Sequence, residues 1–233
     1  MRAPHRAARV TAVATLLGIL AFAADALDGI AGQVAVALVS SGFAWGLAAI
    51  LTGRHVDTVR RAVTSATGLL AVATVLYYLL ILFVSRRWSG AVLADGSPAD
   101  LAGLHSVAVM TAVWLAGSLL AGPLLGWLGH TIGAGTPRRA ALAAGAACGL
   151  LSAEGWHAII QAPPWRLLAL GDPFFRGVVV GELIRVTLPL IVLAWLTITH
   201  RLSRAWPTLL TAAFATTAAG VMLWQIVAYA RGA

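Results

Sequence analysis

The 233-residue chain contains no lysine and no asparagine, one cysteine, and only 10% charged residues. A soluble domain carries about 25% charged residues, so this chain has too few polar side chains to cover a surface in water. Hydrophobic residues make up 60% of it. The composition therefore excludes a soluble enzyme and a disordered protein, and it predicts an all-α polytopic bundle of transmembrane helices. The lone Cys148 excludes an internal disulfide and a thiolate metal cage.

All sixteen basic residues are arginine, and they outnumber the eight acidic residues to give a net charge of +8. The arginines lie in short clusters between apolar runs and do not form one stripe. This distribution excludes nucleic acid as a partner and is typical of the loops that connect membrane helices.

Seven apolar runs are long enough to cross a membrane, which takes about 20 residues of helix. We therefore predict a single integral membrane domain over residues 1–233, with the lipid bilayer as its surroundings. The runs are Val10–Leu27, Gln33–Thr52, Ala62–Val84, Leu104–Leu128, Ala140–Ile160, Gly177–Thr199 and Thr208–Ala230. Pro123 predicts a tilt, a kink or a break in the fourth run.

The arginines also predict the orientation, because cytoplasmic loops are enriched in basic residues. With the N-terminus in the cytoplasm, the inner segments hold Arg2, Arg6, Arg9, Arg54, Arg60, Arg61, Arg138, Arg139, Arg201 and Arg204. The outer segments then hold only Arg86, Arg87, Arg166, Arg176 and Arg231. Ten arginines in the inner segments against five in the outer segments favour an N-in, C-out protein of the plasma or inner membrane. The basic start and Ala21-Phe22-Ala23 are also typical of a secretory signal, whose cleavage would leave six spans.

Small residues four apart predict where helices pack, because lipid provides no hydrophobic drive for helix association and close backbone contact does instead. The pairs are Gly42/Gly46, Gly122/Gly126, Gly129/Gly133, Gly145/Gly149 and Gly177/Gly181. We interpret them as contacts within the bundle.

Polar side chains inside the predicted spans lie mainly in the outer halves of the helices. They include Asp25, Tyr77, His105, Glu154, His157, Glu182, Arg185 and Gln225. A charge in the membrane costs about 2.5–3.5 kcal/mol on insertion scales, so each one needs a partner or a wet cavity. Glu154 with His157, and Glu182 with Arg185, are three residues apart and share a helix face. Arg185 stays charged, so Glu182 or Glu154 is its predicted counter-ion.

These residues predict an outward-open pocket that binds a small-molecule or ionic ligand. Arg185 would hold an anionic group of the ligand, and Glu154 with His157 would bind or relay protons. A second interpretation is structural: Glu182 and Arg185 form a buried pair that fixes helix register, Asp25 is solvated at a helix end, and His105 lies at the interface.

Three functions follow, and the residues predict no cofactor, metal or catalytic set for any of them. The first is a transporter-like or ligand-binding protein. The chain has no Walker loop with which to bind ATP, so an ATP-driven transporter built from it needs a membrane partner subunit. The second is an intramembrane enzyme that acts on a lipid-linked or peptide substrate, with Glu154 and His157 as acid and base; no His-Glu-x-x-His motif supports it. The third is a scaffold.

Four short motifs resemble a family of actinobacterial multi-pass membrane proteins known only as a domain of unknown function. They are Tyr77-Tyr78, Gly122-Pro123-Leu124-Leu125-Gly126, Arg138-Arg139 and Ala153-Glu154-Gly155. The resemblance covers roughly residues 10–200. It implies a membrane bundle and carries over no activity, substrate or cofactor.

Overall fold

The computed structural model describes residues 3–92 and 96–232, so Arg2 and the segment 93–95 lie outside the description. The described chain is helical, and the prediction of an all-α bundle is confirmed. The helices are α1 Ala3–Ala24, α2 Gly29–Ala35, α3 Gly42–Arg54, α4 Val59–Leu80, α5 Asp100–Ala134, α6 Pro137–Gln161, α7 Pro164–Ala169, α8 Pro173–Thr199 and α9 Trp206–Gly232. Single π-helical turns follow α2 (Val36–Ser40) and α4 (Ile81–Ser85), and a 3-10 turn (Leu202–Ala205) precedes α9.

Six helical segments of the described residues are long and apolar enough to cross a membrane. They are Ala7–Ala24, Gly29–Arg54, Val59–Ser85, Asp100–Ala134, Pro173–Thr199 and Leu202–Tyr229. The fifth predicted span, which corresponds to α6, is not among these six; α6 has 25 residues, of which thirteen are buried. Because neighbouring helices surround α6, it exposes little surface to lipid, and alanine and glycine can replace larger apolar residues there. The bundle thus has about six to seven spans, as predicted.

Large apolar side chains cover the outside of the bundle. Leu120 is 78%, Ile198 79% and Phe214 74% exposed. Apolar exposure of this extent does not occur on a soluble monomer, whereas lipid tails solvate such side chains at no cost. The surface and the helix lengths together indicate a membrane-embedded protein.

The second span changes its packing partners halfway along its length. Its first part, α2, lies against α8, whereas its second part, α3, lies against α4 and α5. Between them, Ser41 has an extended backbone (φ −84°, ψ 161°) that interrupts the helix. Of the tilt, kink or break predicted at Pro123, the break is absent, because α5 is helical from Asp100 to Ala134. The second span breaks without any proline, so tertiary packing and not proline sterics decides where the chain is discontinuous.

The glycine pairs lie where helices touch, which confirms their interpretation as packing positions. A Cβ at Gly129 would come 2.1 Å from the Ile50 carbonyl oxygen, and one at Gly126 would come 2.6 Å from that of Ala62. These approaches bring α5 into backbone contact with α3 and α4, and they hold α3, the second part of the broken span, in place.

Candidate functional site

The break in the second span places a helix N-terminus inside the membrane region. It lies about halfway along the 26-residue segment Gly29–Arg54, roughly 20 Å from the N-terminal end of that segment at 1.5 Å per residue. Two donors satisfy carbonyl groups next to the break: the Ser41 hydroxyl bonds Ala37 O (2.7 Å) and the Trp45 indole bonds Val39 O (3.1 Å). The break is therefore stabilised from within its own span.

Glu154 of α6 caps the helix that starts at this break. The N-cap residue Ser41 makes no side-chain capping bond. Instead, the Gly42 N–H donates to Glu154 Oε2 at 2.9 Å. A helix N-terminus carries a partial positive charge of about half an elementary charge, so it stabilises an anion there. A Cβ at position 42 would lie 2.9 Å from the same oxygen, so glycine leaves the space that the carboxylate uses.

Arg185 of α8 pairs with the other oxygen of the same carboxylate. Its Nε lies 3.4 Å from Glu154 Oε1, and the two side chains are 18% and 22% exposed. The buried Nε makes no hydrogen bond with any described residue, so the contact is an ion pair without hydrogen-bond geometry. Gly155 permits the approach, because a Cβ there would come 2.9 Å from Arg185 Cβ. Of the two predicted counter-ions, Glu154 is the one in contact.

A second acidic side chain, Glu182 of α8, is buried three residues before Arg185. It is 3% exposed, and its Oε2 has no hydrogen-bond partner among the described residues. It stands one turn before Arg185 on the same side of α8. A buried carboxyl oxygen without a donor costs folding free energy, so this oxygen lowers the stability of the described structure.

Two further polar side chains of α6, those of His157 and Gln161, bond α9. His157 Nε2 donates to Gln225 Oε1 (3.1 Å), and the Gln161 amide donates to the same oxygen. The polar face of α6 therefore divides between two neighbours: Glu154 meets α3 and α8, whereas His157 meets α9. Glu154 and His157 therefore have no common hydrogen-bond partner among the described residues.

A second polar cluster joins the C-terminal ends of α1 and α4. The Tyr77 hydroxyl donates to Asp25 Oδ2, and Arg87 Nη1 lies 3.3 Å from the same oxygen. The Tyr77 ring meets the Trp45 ring edge-on, with centroids 6.5 Å apart. The cluster thus contacts α3 one turn after the break. Of the predicted site residues, Glu154 and Arg185 meet at the break, and Asp25 and Tyr77 form the second cluster. His157 and Gln225 pair with each other between α6 and α9, and His105 is exposed.

Substituting Tyr77 by phenylalanine should lower the free energy of unfolding by about 2 kcal/mol, because the hydroxyl bonds the largely buried carboxyl group of Asp25. SDS-induced unfolding in mixed micelles measures this change. Tyr229→Phe is the matched control, since Tyr229 is 72% exposed on α9. Equal losses in the two variants would show that the bond between Tyr77 and Asp25 contributes nothing.

A cavity of about 430 Å³ lies elsewhere, between α1 and α4. Its polar lining comes from Thr11, Asp57, Arg61, Thr64 and Ser65. On the predicted orientation it faces the cytoplasm, opposite to the outer side where the sequence predicts the pocket.

Sequence reasoning missed three contributors to the site: the Gly42 N–H, Trp45 and Arg87. The signal for the first was Ser40-Ser41-Gly42, a run of residues that favour helix ends and caps over helix interiors. Comparisons of the chain with family models, with curated proteins and with solved structures give no match. The functional argument therefore rests on the geometry of the two clusters and of the break.

Proposed function

We propose that this membrane protein is transporter-like and binds a small polar ligand at the break in its second span. One observation carries the proposal: a backbone N–H at a helix N-terminus and an arginine, Gly42 and Arg185, converge on one carboxylate. Donors that converge at low dielectric are suited to hold an anionic group. Broken membrane helices whose N-termini point at bound anions are a recurrent feature of secondary transporters.

Glu182 favours a ligand site over a scaffold. A scaffold gains stability when every buried polar group is paired, and the unpartnered Glu182 oxygen lowers stability instead. The enzyme hypothesis lacks comparable support, because Glu154 and His157 bond different helices and do not face one substrate. The arginine asymmetry supports an N-in orientation, and we place the protein in the inner or plasma membrane with the break about halfway along its span.

Access of water to the site tests the proposal. Cys148 is the single cysteine, so Cys148→Ser provides a cysteine-free background. In this cysteine-free background, the new cysteines of Glu154→Cys and Ala158→Cys lie one turn apart on α6. Both should react with a membrane-impermeant methanethiosulfonate reagent added from the outer side. A binding site must be reached from water, and the structure leaves 22% of the Glu154 side chain exposed.

Phe214→Cys is the matched control for this experiment. Its side chain is 74% exposed on the apolar outer surface of α9, so it should face lipid and stay unreactive. If neither α6 cysteine reacts from either side of the membrane while the protein remains folded, water does not reach the break. That result would reject the ligand site and leave the scaffold.

A further inference from the structure

We infer that the ligand is a small α-hydroxy or α-amino acid. Its carboxylate displaces the carboxylate of Glu154 and binds the same two partners, the Gly42 N–H and Arg185. The inference rests on the proposed function and names its substrate class. In the structure, each oxygen of Glu154 has one partner: Oε2 accepts from the Gly42 N–H at 2.9 Å, and Oε1 lies 3.4 Å from Arg185 Nε. A ligand carboxylate presents the same two oxygens at the same separation.

The exchange balances charge when Glu154 leaves as the neutral acid. Glu154 takes up one proton, which forms the carboxyl O–H and cancels the negative charge opposite Arg185. The ligand carboxylate then restores that charge, so the arginine is paired in both states. One proton accompanies each ligand carboxylate, and the charge of Arg185 is compensated before and after the exchange.

Glu182 selects a ligand that carries a donor next to its carboxylate. This side chain is 3% exposed, stands one turn from Arg185 and has a buried oxygen without a partner. A hydroxyl or ammonium group on the α-carbon would donate to that oxygen. A plain fatty acid would leave it unsatisfied, which costs about 1–3 kcal/mol for a buried polar group.

Few other ionisable groups surround Glu154, so its protonation can control the exchange. The helix α8 presents Arg185 and Glu182, and α6 itself presents His157, which is bonded to α9. The helix α3 presents the Gly42 N–H, and α9 presents the neutral Gln225. The histidines and the aspartate of α5 lie near its two ends, away from the middle of the bundle.

Three isosteric acids test the ligand class. Protein in lipid nanodiscs is titrated calorimetrically with L-lactate, L-alanine and propionate, which differ only in a hydroxyl, an ammonium or a hydrogen on the α-carbon. Lactate or alanine should bind at least about tenfold more tightly than propionate. The two donors are distinguished by transport in proteoliposomes: proton–lactate uptake is electroneutral, whereas proton–alanine uptake carries one positive charge.

The proton is tested with Glu154→Gln, which mimics the neutral acid. Wild-type affinity for the bound acid should fall about tenfold per pH unit as the proton becomes scarce, the slope expected for uptake of one proton. Glu154→Gln should bind without this slope. Asp28→Asn, an exposed acid at the start of α2, is the matched control and should keep it. Infrared difference spectra on adding the bound acid should show a new protonated-carboxyl band in the wild type, absent from Glu154→Gln.

The outcomes separate the two proposals. Propionate bound as tightly as lactate and alanine, no binding of any of the three acids, or a pH slope that persists in Glu154→Gln would each overturn the inference about the ligand. Each of these results is compatible with reactive cysteines at positions 154 and 158, so a ligand site would stand with another ligand. Unreactive cysteines would instead remove the proposed function itself.

Discussion

Gly149→Leu is expected to separate α6 from α9 and to lower the free energy of unfolding by about 3 kcal/mol, the upper end for an overpacked core position. A Cβ at this position would already come 2.1 Å from Thr216 Oγ1 and 2.4 Å from the Ala213 carbonyl oxygen. Backbone cannot rotate away as a side chain can, so the leucine must push the two helices apart.

The loss extends beyond one contact because the neighbouring positions are equally close. A Cβ at Gly145 would meet the Leu209 carbonyl oxygen at 2.1 Å, and one at Gly220 of α9 would meet Ala153 Cβ at 2.5 Å. Separation also breaks the bond from Thr216 Oγ1 to the Ala146 carbonyl, which is 3.1 Å long. In lipid, such van der Waals and polar contacts hold helices together without a hydrophobic contribution.

SDS-induced unfolding of the purified protein measures the effect of Gly149→Leu. Gly117→Leu is the control, since nothing within 4 Å would meet a Cβ at that α5 position. We expect the control to stay within about 1 kcal/mol of the wild type. If the two variants unfold alike, close approach of α6 and α9 is not what holds α9 in the bundle.

Arg185→Gln is expected to destabilise the protein by about 3 kcal/mol. It leaves the Glu154 carboxylate half-buried with the Gly42 N–H as its remaining donor. Removing one partner of a buried ion pair costs about 3–5 kcal/mol, and the lower end applies because about a fifth of each side chain is exposed. Arg176→Gln, an exposed arginine in the first turn of the same helix, should change stability little.

The double variant Glu154→Gln with Arg185→Gln distinguishes an ion pair from two independent contributions. Because the second substitution removes the unpaired carboxylate, the double variant should recover stability relative to Arg185→Gln alone. The double-mutant cycle from SDS unfolding gives the coupling free energy, for which we expect about 1–3 kcal/mol. Additive losses would mean that the 3.4 Å contact carries no interaction energy.

The positions of the spans could be predicted from the sequence because each depends on a local run of apolar residues. The predicted run Gly177–Thr199 ends where α8 ends, at Thr199, and the run Gln33–Thr52 falls within the segment Gly29–Arg54. The run Ala140–Ile160 likewise falls within α6, Pro137–Gln161. Only the packed bundle shows that other helices cover α6.

The site could be predicted in part. The face shared by Glu154 and His157, and the need of Arg185 for an acid, follow from helical periodicity and from the cost of an unpaired charge. The choice between Glu154 and Glu182 did not follow. Both are carboxylates at similar predicted depth, and the choice depends on how closely α6 approaches α8 at Gly155.

By itself, the sequence determined that the chain is a helical membrane bundle, where its spans lie, and that polar groups concentrate in one half of it. Hydrophobicity and helical period are properties of neighbouring residues, so no packing was needed to read them. Only the tertiary structure decided that the second span breaks at Ser41 and that Gly42 meets Glu154, 112 residues further along the chain. Such a contact depends on which helices adjoin and how closely their backbones approach, and both are properties of the assembled bundle.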